Sequence, residues 1–101
     1  MKSYNLHQVA SIVNGTLIGS DNEIVNQIFF DSRMIINPLH GIFFAFHGNQ
    51  KDGHHYLQDA YQKGIRNFVV EKAPTNLVDA NFIEVKNPLN ALQVWAKYHR
   101  K

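Results

Sequence analysis

The segment from Gly41 to Glu71 constrains the fold more than any other part of this chain. Gly41-Ile42-Phe43-Phe44-Ala45-Phe46 is a nearly continuous apolar run, which suits a strand buried on both faces of a sheet that is covered by helices. The polar stretch from His47 to Gly53 reads as a loop. From His54 to Lys63, Tyr56 or Leu57, Ala60 and Tyr61 recur at helical spacing, and Gly64 ends that helix. Asn67 to Glu71 is a second apolar strand. Strand, helix and strand in this order make a parallel crossover, expected to be right-handed.

The flanks extend the pattern. Leu6, Val9, Ala10 and Val13 follow the spacing of one buried helix face, so residues 5–14 read as a helix. Asn5 caps it and forms a capping-box pair with Gln8, while Gly15 is placed to end it in a left-handed conformation. Thr16 to Ile18 is a short strand, Gly19 to Asn22 a turn, and Ile24 to Phe30 a second strand with Asp31 at its edge. Met34 to His40 contains Asn37-Pro38 and reads as a loop. Ala73-Pro74-Thr75 is a turn and Phe82 to Val85 a last strand. In the final helix Asn87 caps, Pro88 takes the first position, and Leu89, Leu92, Trp95, Ala96 and His99 line one side. The expected architecture is α/β, with three α/β/α layers around a small mixed, partly parallel sheet.

With 101 residues the chain has room for one domain and one core. No run approaches the roughly 20 apolar residues that span a bilayer, and the N-terminus lacks a signal-peptide pattern, so a cytoplasmic protein away from membranes is expected. The absence of cysteine excludes a disulfide framework, a thiolate nucleophile and a cysteine-ligated zinc. The net charge of +2 comes from scattered cations rather than a basic stripe, which argues against nucleic-acid binding.

Three constellations carry potential chemistry. Asp31-Ser32-Arg33 offers a carboxylate, a hydroxyl and a guanidinium that could meet a base edge, a sugar or a phosphate. The same three residues equally make a turn in which Asp31 pairs with Arg33, and on the residues alone that reading is the favoured one. Phe46-His47-Gly48-Asn49 through Asp52-Gly53-His54 carries two glycines that let the backbone approach a ligand, and the following helix aims its positive end at the same place. The alternative is an ordinary strand-to-helix loop with Asp52 as a cap. His47, Asp52, His54 and His55 suggest a metal, but the adjacent His54 and His55 do not converge on one ion, so no metal site is expected. Ser32 lacks the Gly-x-Ser-x-Gly elbow of a nucleophile, and no catalytic residue is assigned. Trp95, with Leu92 and Ala96, reads as core packing rather than a stacking platform. No Gly-x-x-x-x-Gly-Lys-Ser/Thr phosphate loop occurs anywhere in the chain.

Taken in order, Asp31-Ser32-Arg33, Ile42-Phe43-Phe44-Ala45-Phe46-His47-Gly48, Asp52-Gly53-His54, Gly64-Ile65, Val69-Val70, Ala91-Leu92 and Ala96 to Arg100 resemble the N-terminal domain of the Mur ligases. These are ATP-dependent amide ligases of peptidoglycan synthesis. Within the family the helical start with Gly15 and the Gly64 to Val70 segment look most like the MurF branch, which adds D-alanyl-D-alanine, including the version fused to an alanine racemase. MurE, which adds the third amino acid, is the rival. The resemblance implies a UDP-substrate-binding domain over residues 1–101, taking UDP-N-acetylmuramoyl-tripeptide. It implies a central ATP-binding domain of the same polypeptide beyond Lys101, working with ATP and Mg2+, and a further C-terminal domain. No cofactor is expected in this domain, and by itself it should be inactive; a stand-alone nucleotide-binding or regulatory module is the other function considered. By the same resemblance Ser32, Arg33, Phe46, His47, Gly48, Asn49, Asp52, Gly53 and His54 are the substrate-binding residues. Two departures stand out: Pro38-Leu39-His40-Gly41 replaces the usual Pro-Gly before the Phe strand, and His47 stands where Lys is common before the glycine.

Overall fold

The structure is a computed structural model that describes residues 3–19, 23–31, 33, 35–45, 53–74, 77 and 79–99, with the backbone alone for 53–56 and 99. Helix α1 (Leu6–Val13) forms where the sequence puts it. The Asn5 Oδ1 accepts from the Gln8 N–H at 2.8 Å and the Gln8 Oε1 accepts from the Asn5 N–H at 2.9 Å, so both halves of the capping box are present. Asn14, not Gly15, takes the left-handed conformation at its end, with φ of 57°. Gly15 has a different reason to be glycine. A Cβ there would lie 2.5 Å from Ile83 Cγ2 and 2.9 Å from Val85 Cγ1, so the chain passes too close to the sheet for any side chain.

Among the described residues seven strands follow one another: β1 (Tyr4–Asn5), β2 (Thr16–Ile18), β3 (Ile24–Val25), β4 (Gln27–Phe29), β5 (Gly41–Phe44), β6 (Asn67–Val70) and β7 (Asn81–Glu84). The expected single strand from Ile24 to Phe30 is therefore two. Asn26 separates them, and its N–H and that of Gln27 both donate to the His40 carbonyl. β3 pairs antiparallel with β1 in a small two-stranded ribbon, whereas β4 joins the main sheet. The main sheet has the order β2-β7-β6-β5-β4; β4, β5, β6 and β7 are parallel, and β2 closes the far edge antiparallel to β7. The sheet is mixed and mostly parallel.

The register explains the core. Phe43, Phe68 and Phe82 stand level on three neighbouring strands, and so do Phe44, Val69 and Ile83 on the opposite face. All four residues of β5 and all four of β6 are buried, as central strands covered on both sides must be. On one face α1 and α3 (Pro88–His99) pack Leu6, Val9, Ala91 and Trp95 against Ile42, Phe44, Val69 and Ile83. Tyr4 meets Trp95 edge to face, with ring centroids 4.7 Å apart. On the other face α2 (Gly53–Gln62) packs Leu57 and Ala60 against Phe43, Phe68, Val70 and Phe82. Phe68 and Phe82 stack at 5.5 Å.

Helix α3 begins as expected, with the Asn87 Oδ1 accepting from the Asn90 N–H at 3.1 Å. Its buried side differs. Pro88, Ala91 and Trp95 face the core and Leu92 borders it, while Leu89 is 43% exposed and Ala96 is exposed. The helix carries two apolar stripes, and the sheet accepts the one that seats the indole. Gly64 does end α2, at φ of 107°.

Candidate functional site

In a parallel sheet, groups that follow the strands emerge together at the carboxyl edge, where open α/β sheets bind ligands. β4 and β5 are neighbours, so the segment after Phe29 and the segment after Phe44 leave the same edge from adjacent strands. The first carries Asp31 and Arg33. The second runs through Ala45 to α2, whose first turn contains Gly53 and His54. Topology thus puts Asp31 and Arg33 after β4 at the same end of the sheet from which the chain leaves β5. Ser32, Phe46, His47, Gly48, Asn49 and Asp52 lie outside the described residues, as does the expected continuation of β5 to Phe46.

The turn reading of Asp31 and Arg33 is what the structure contains. The Arg33 Nε–H donates to Asp31 Oδ1 at 3.1 Å and an Arg33 Nη2–H donates to Asp31 Oδ2 at 2.8 Å, a two-pronged ion pair. The Arg33 backbone N–H donates to the same Oδ1 at 3.0 Å. These hydrogen bonds hold the Asp31 carboxyl down at about 2, from an ordinary 3.8, with a smaller pull from the more distant Lys63 ammonium. The Arg33 side chain is 82% exposed and that of Asp31 26%. A charged, preformed group therefore stands at the edge of the sheet.

After Arg33 the chain returns to the amino end of β5. Ile35 packs on the α2-side cluster, and Pro38 fits beneath Gly64, where a Cβ would lie 2.8 Å from its Cγ. The Gly41 N–H donates to the Pro38 carbonyl at 3.0 Å, and His40, third in this turn, has φ of 58°. This is the type II pattern, in which the third residue is ordinarily glycine. His40 holds it with the help of its Nδ1, which lies 3.2 Å from the Ile24 carbonyl oxygen. The altered Pro38 to Gly41 sequence thus still closes a tight turn into β5.

The Gly64-Ile65-Arg66-Asn67 cluster belongs to the opposite end of the sheet. Arg66 donates through Nη1 to the Tyr61 and Ile65 carbonyls, both at 2.8 Å, and its guanidinium lies 4.0 Å from the Tyr61 ring centre. It closes the carboxyl end of α2. Buried Asn67 donates to the Gly41 carbonyl at 3.3 Å and accepts from Asn81 Nδ2 at 3.0 Å, tying the amino ends of three parallel strands. Among the described residues no three His, Cys, Asp or Glu side chains converge as a metal site, and no helix is long and apolar enough to cross a membrane.

A mixed sheet of this order between one helix and two is the fold of the first part of MurF. Two crystal structures of MurF from Acinetobacter baumannii superpose with TM-scores of 0.84 and 0.83, at 19% identity, over 99% of this chain and about a fifth of theirs. The particular family follows from sequence. The chain is 38% identical over 80 residues to the UDP-N-acetylmuramoyl-L-alanyl-D-glutamate--2,6-diaminopimelate ligase of Phocaeicola vulgatus, covering 78% of this chain and 16% of that protein. It is also 38% identical over 72 residues to the UDP-N-acetylmuramoyl-tripeptide--D-alanyl-D-alanine ligase of Buchnera aphidicola, covering 71% of this chain and 15% of that protein. No family model matches the chain. Its homologues are Mur ligases, enzymes of peptidoglycan synthesis, and the chain corresponds to their small N-terminal part. It spans about a sixth of the length of these relatives.

Proposed function

We propose that this chain is the UDP-holding domain of a Mur ligase, residues 1–101 forming one unit that recognises the UDP portion of a UDP-N-acetylmuramoyl-peptide in the cytoplasm. The observation that carries the reading is the adjacency of β4 and β5: Asp31 and Arg33 follow the one and Ala45 the other, so the chain leaves both strands at the same end of the sheet. Ser32 and Arg33 meet the nucleotide; the His47-Gly48-Asn49 loop and Asp52-Gly53-His54 flank uracil, ribose or diphosphate. The start of α2 supports an anion there, since its first N–H groups point out of the helix.

The ligation itself belongs to the rest of such an enzyme. ATP, with Mg2+, activates a substrate carboxylate on a central domain of the same polypeptide, and an amine then displaces the phosphate. This chain has no phosphate-binding loop and by itself performs no ligation. Both kinds of relative match at 38% identity, so two acceptors are proposed in order: D-alanyl-D-alanine, as in MurF, then the third amino acid of the peptide, as in MurE.

Titration of the chain with UDP, followed by amide NMR shifts, tests the site. The expected result is movement at Ser32, Arg33 and Gly48 to His54, with α3 unmoved. Shifts confined to residues 89–100, or none at millimolar UDP, sink the placement. In a protein carrying the downstream domains, ADP release dependent on D-alanyl-D-alanine supports the first acceptor, and release dependent on diaminopimelate supports the second.

A further inference from the structure

The fold's two described arginines are held in different ways. Arg66 gives hydrogen bonds to main-chain carbonyls and stacks on Tyr61, so its role is to finish α2. Arg33 is turned onto a carboxylate two residues away by a fork and a backbone bond, yet most of its side chain stays in water. Exposed ion pairs contribute little to stability, so the fold gains little from this one. What the fork changes is the freedom of Arg33. A free arginine side chain samples many rotamers and loses that freedom on meeting a ligand. Here the loss has been incurred before any ligand arrives, at the sheet edge where the nucleotide reading needs a cation.

We infer that Asp31 is a positioning residue for Arg33: its carboxylate fixes the guanidinium in the orientation that meets the UDP diphosphate, so a negative side chain strengthens the binding of an anion. This rests on the nucleotide reading above. The sign of the effect separates it from plain electrostatics, because removing a carboxylate beside an anion site raises the local positive potential and by itself tightens binding.

The test is a double-mutant cycle on the full chain with UDP as the probe. Asp31→Asn is expected to weaken UDP binding about tenfold, the size of one charge-assisted hydrogen bond. Arg33→Ala weakens it at least as much, and the double variant is no worse than Arg33→Ala alone, because Asp31 acts only through Arg33. Asp31→Glu, which keeps the charge, recovers part of the loss. The Arg33 Nε–H resonance gives a readout independent of folding stability: it is expected to be visible in the wild type and lost in Asp31→Asn while the core amides remain unchanged. Unaltered or tighter UDP binding by Asp31→Asn overturns the role, as do additive losses in the double variant. A wild-type chain that takes up no UDP overturns the nucleotide reading and the role with it. Wild-type binding with an indifferent Asp31→Asn overturns the role alone.

Discussion

The two faces of the sheet are built differently. The face under α1 and α3 joins the two ends of the sequence, Tyr4 to Val13 with Ala91 and Trp95, over mainly aliphatic strand residues. The face under α2 comes from the middle of the chain and is dominated by Phe43, Phe68 and Phe82. Of the three described helices only α2, on the second face, carries candidate site residues, since it contains both Leu57 in the core and Gly53-His54 in its first turn. On the proposed reading the first face is a scaffold, and the second is scaffold and candidate site together. Damage to the first should lower stability alone, and damage to the second should lower stability and binding at once.

Trp95→Ala should have the largest effect, about 3–5 kcal/mol of unfolding free energy in urea, because the indole is 1% exposed and anchors α3. At temperatures where the variant stays folded, its UDP shifts should match the wild type. Leu57→Ala should lose about 2–5 kcal/mol and also weaken the UDP response at Gly53 and His54. If its UDP affinity is unaltered, the distinction between the faces fails. Gly15→Ala forces a methyl onto Ile83 and Val85 and should destabilise by about 1–3 kcal/mol, again with binding intact. Asn5→Ala removes the cap of α1 and should lower stability by about 1 kcal/mol.

The smallest effect should be the acid dependence of the Asp31–Arg33 pair. The carboxyl sits at about 2 in the fold against 3.8 ordinarily, so its stabilisation is complete above the higher value and is lost as pH falls through the lower one. The Tm difference between wild type and Asp31→Asn should therefore close between those two values. A difference that closes near neutral pH would mean another group controls it.

Much of this was legible in the sequence because it is local. The Asn5-Gln8 box, the Asn87-Pro88 start of α3 and the β5-α2-β6 crossover are each written in neighbouring residues, and each forms. The break at Asn26 was not legible, because β-branched and aromatic residues run on either side of it. What divides them is the His40 carbonyl, remote in sequence, which takes the N–H groups of Asn26 and Gln27. The buried side of α3 is not legible for a related reason: Leu89 and Ala96 make as good a stripe as Pro88 and Ala91, and only the packing against the sheet and Tyr4 chooses between them. At the site, the pairing of Asp31 with Arg33 was available as the ordinary turn reading. Its exposure and placement give it interest, and these follow from strand order, which no local pattern encodes.

The antiparallel edge strand β2 has a consequence for biogenesis. β4, β5 and β6 pair with strands that follow one another in the chain, so their ladders assemble in the order of synthesis. Thr16 to Ile18 pairs with Phe82 to Glu84, and α1 is covered by α3, so β2 and α1 are enclosed only after residues 82–99 have been made. A nascent chain paused before residue 81 is expected to leave α1 and β2 without the elements that cover them, which makes these the ones a chaperone would meet.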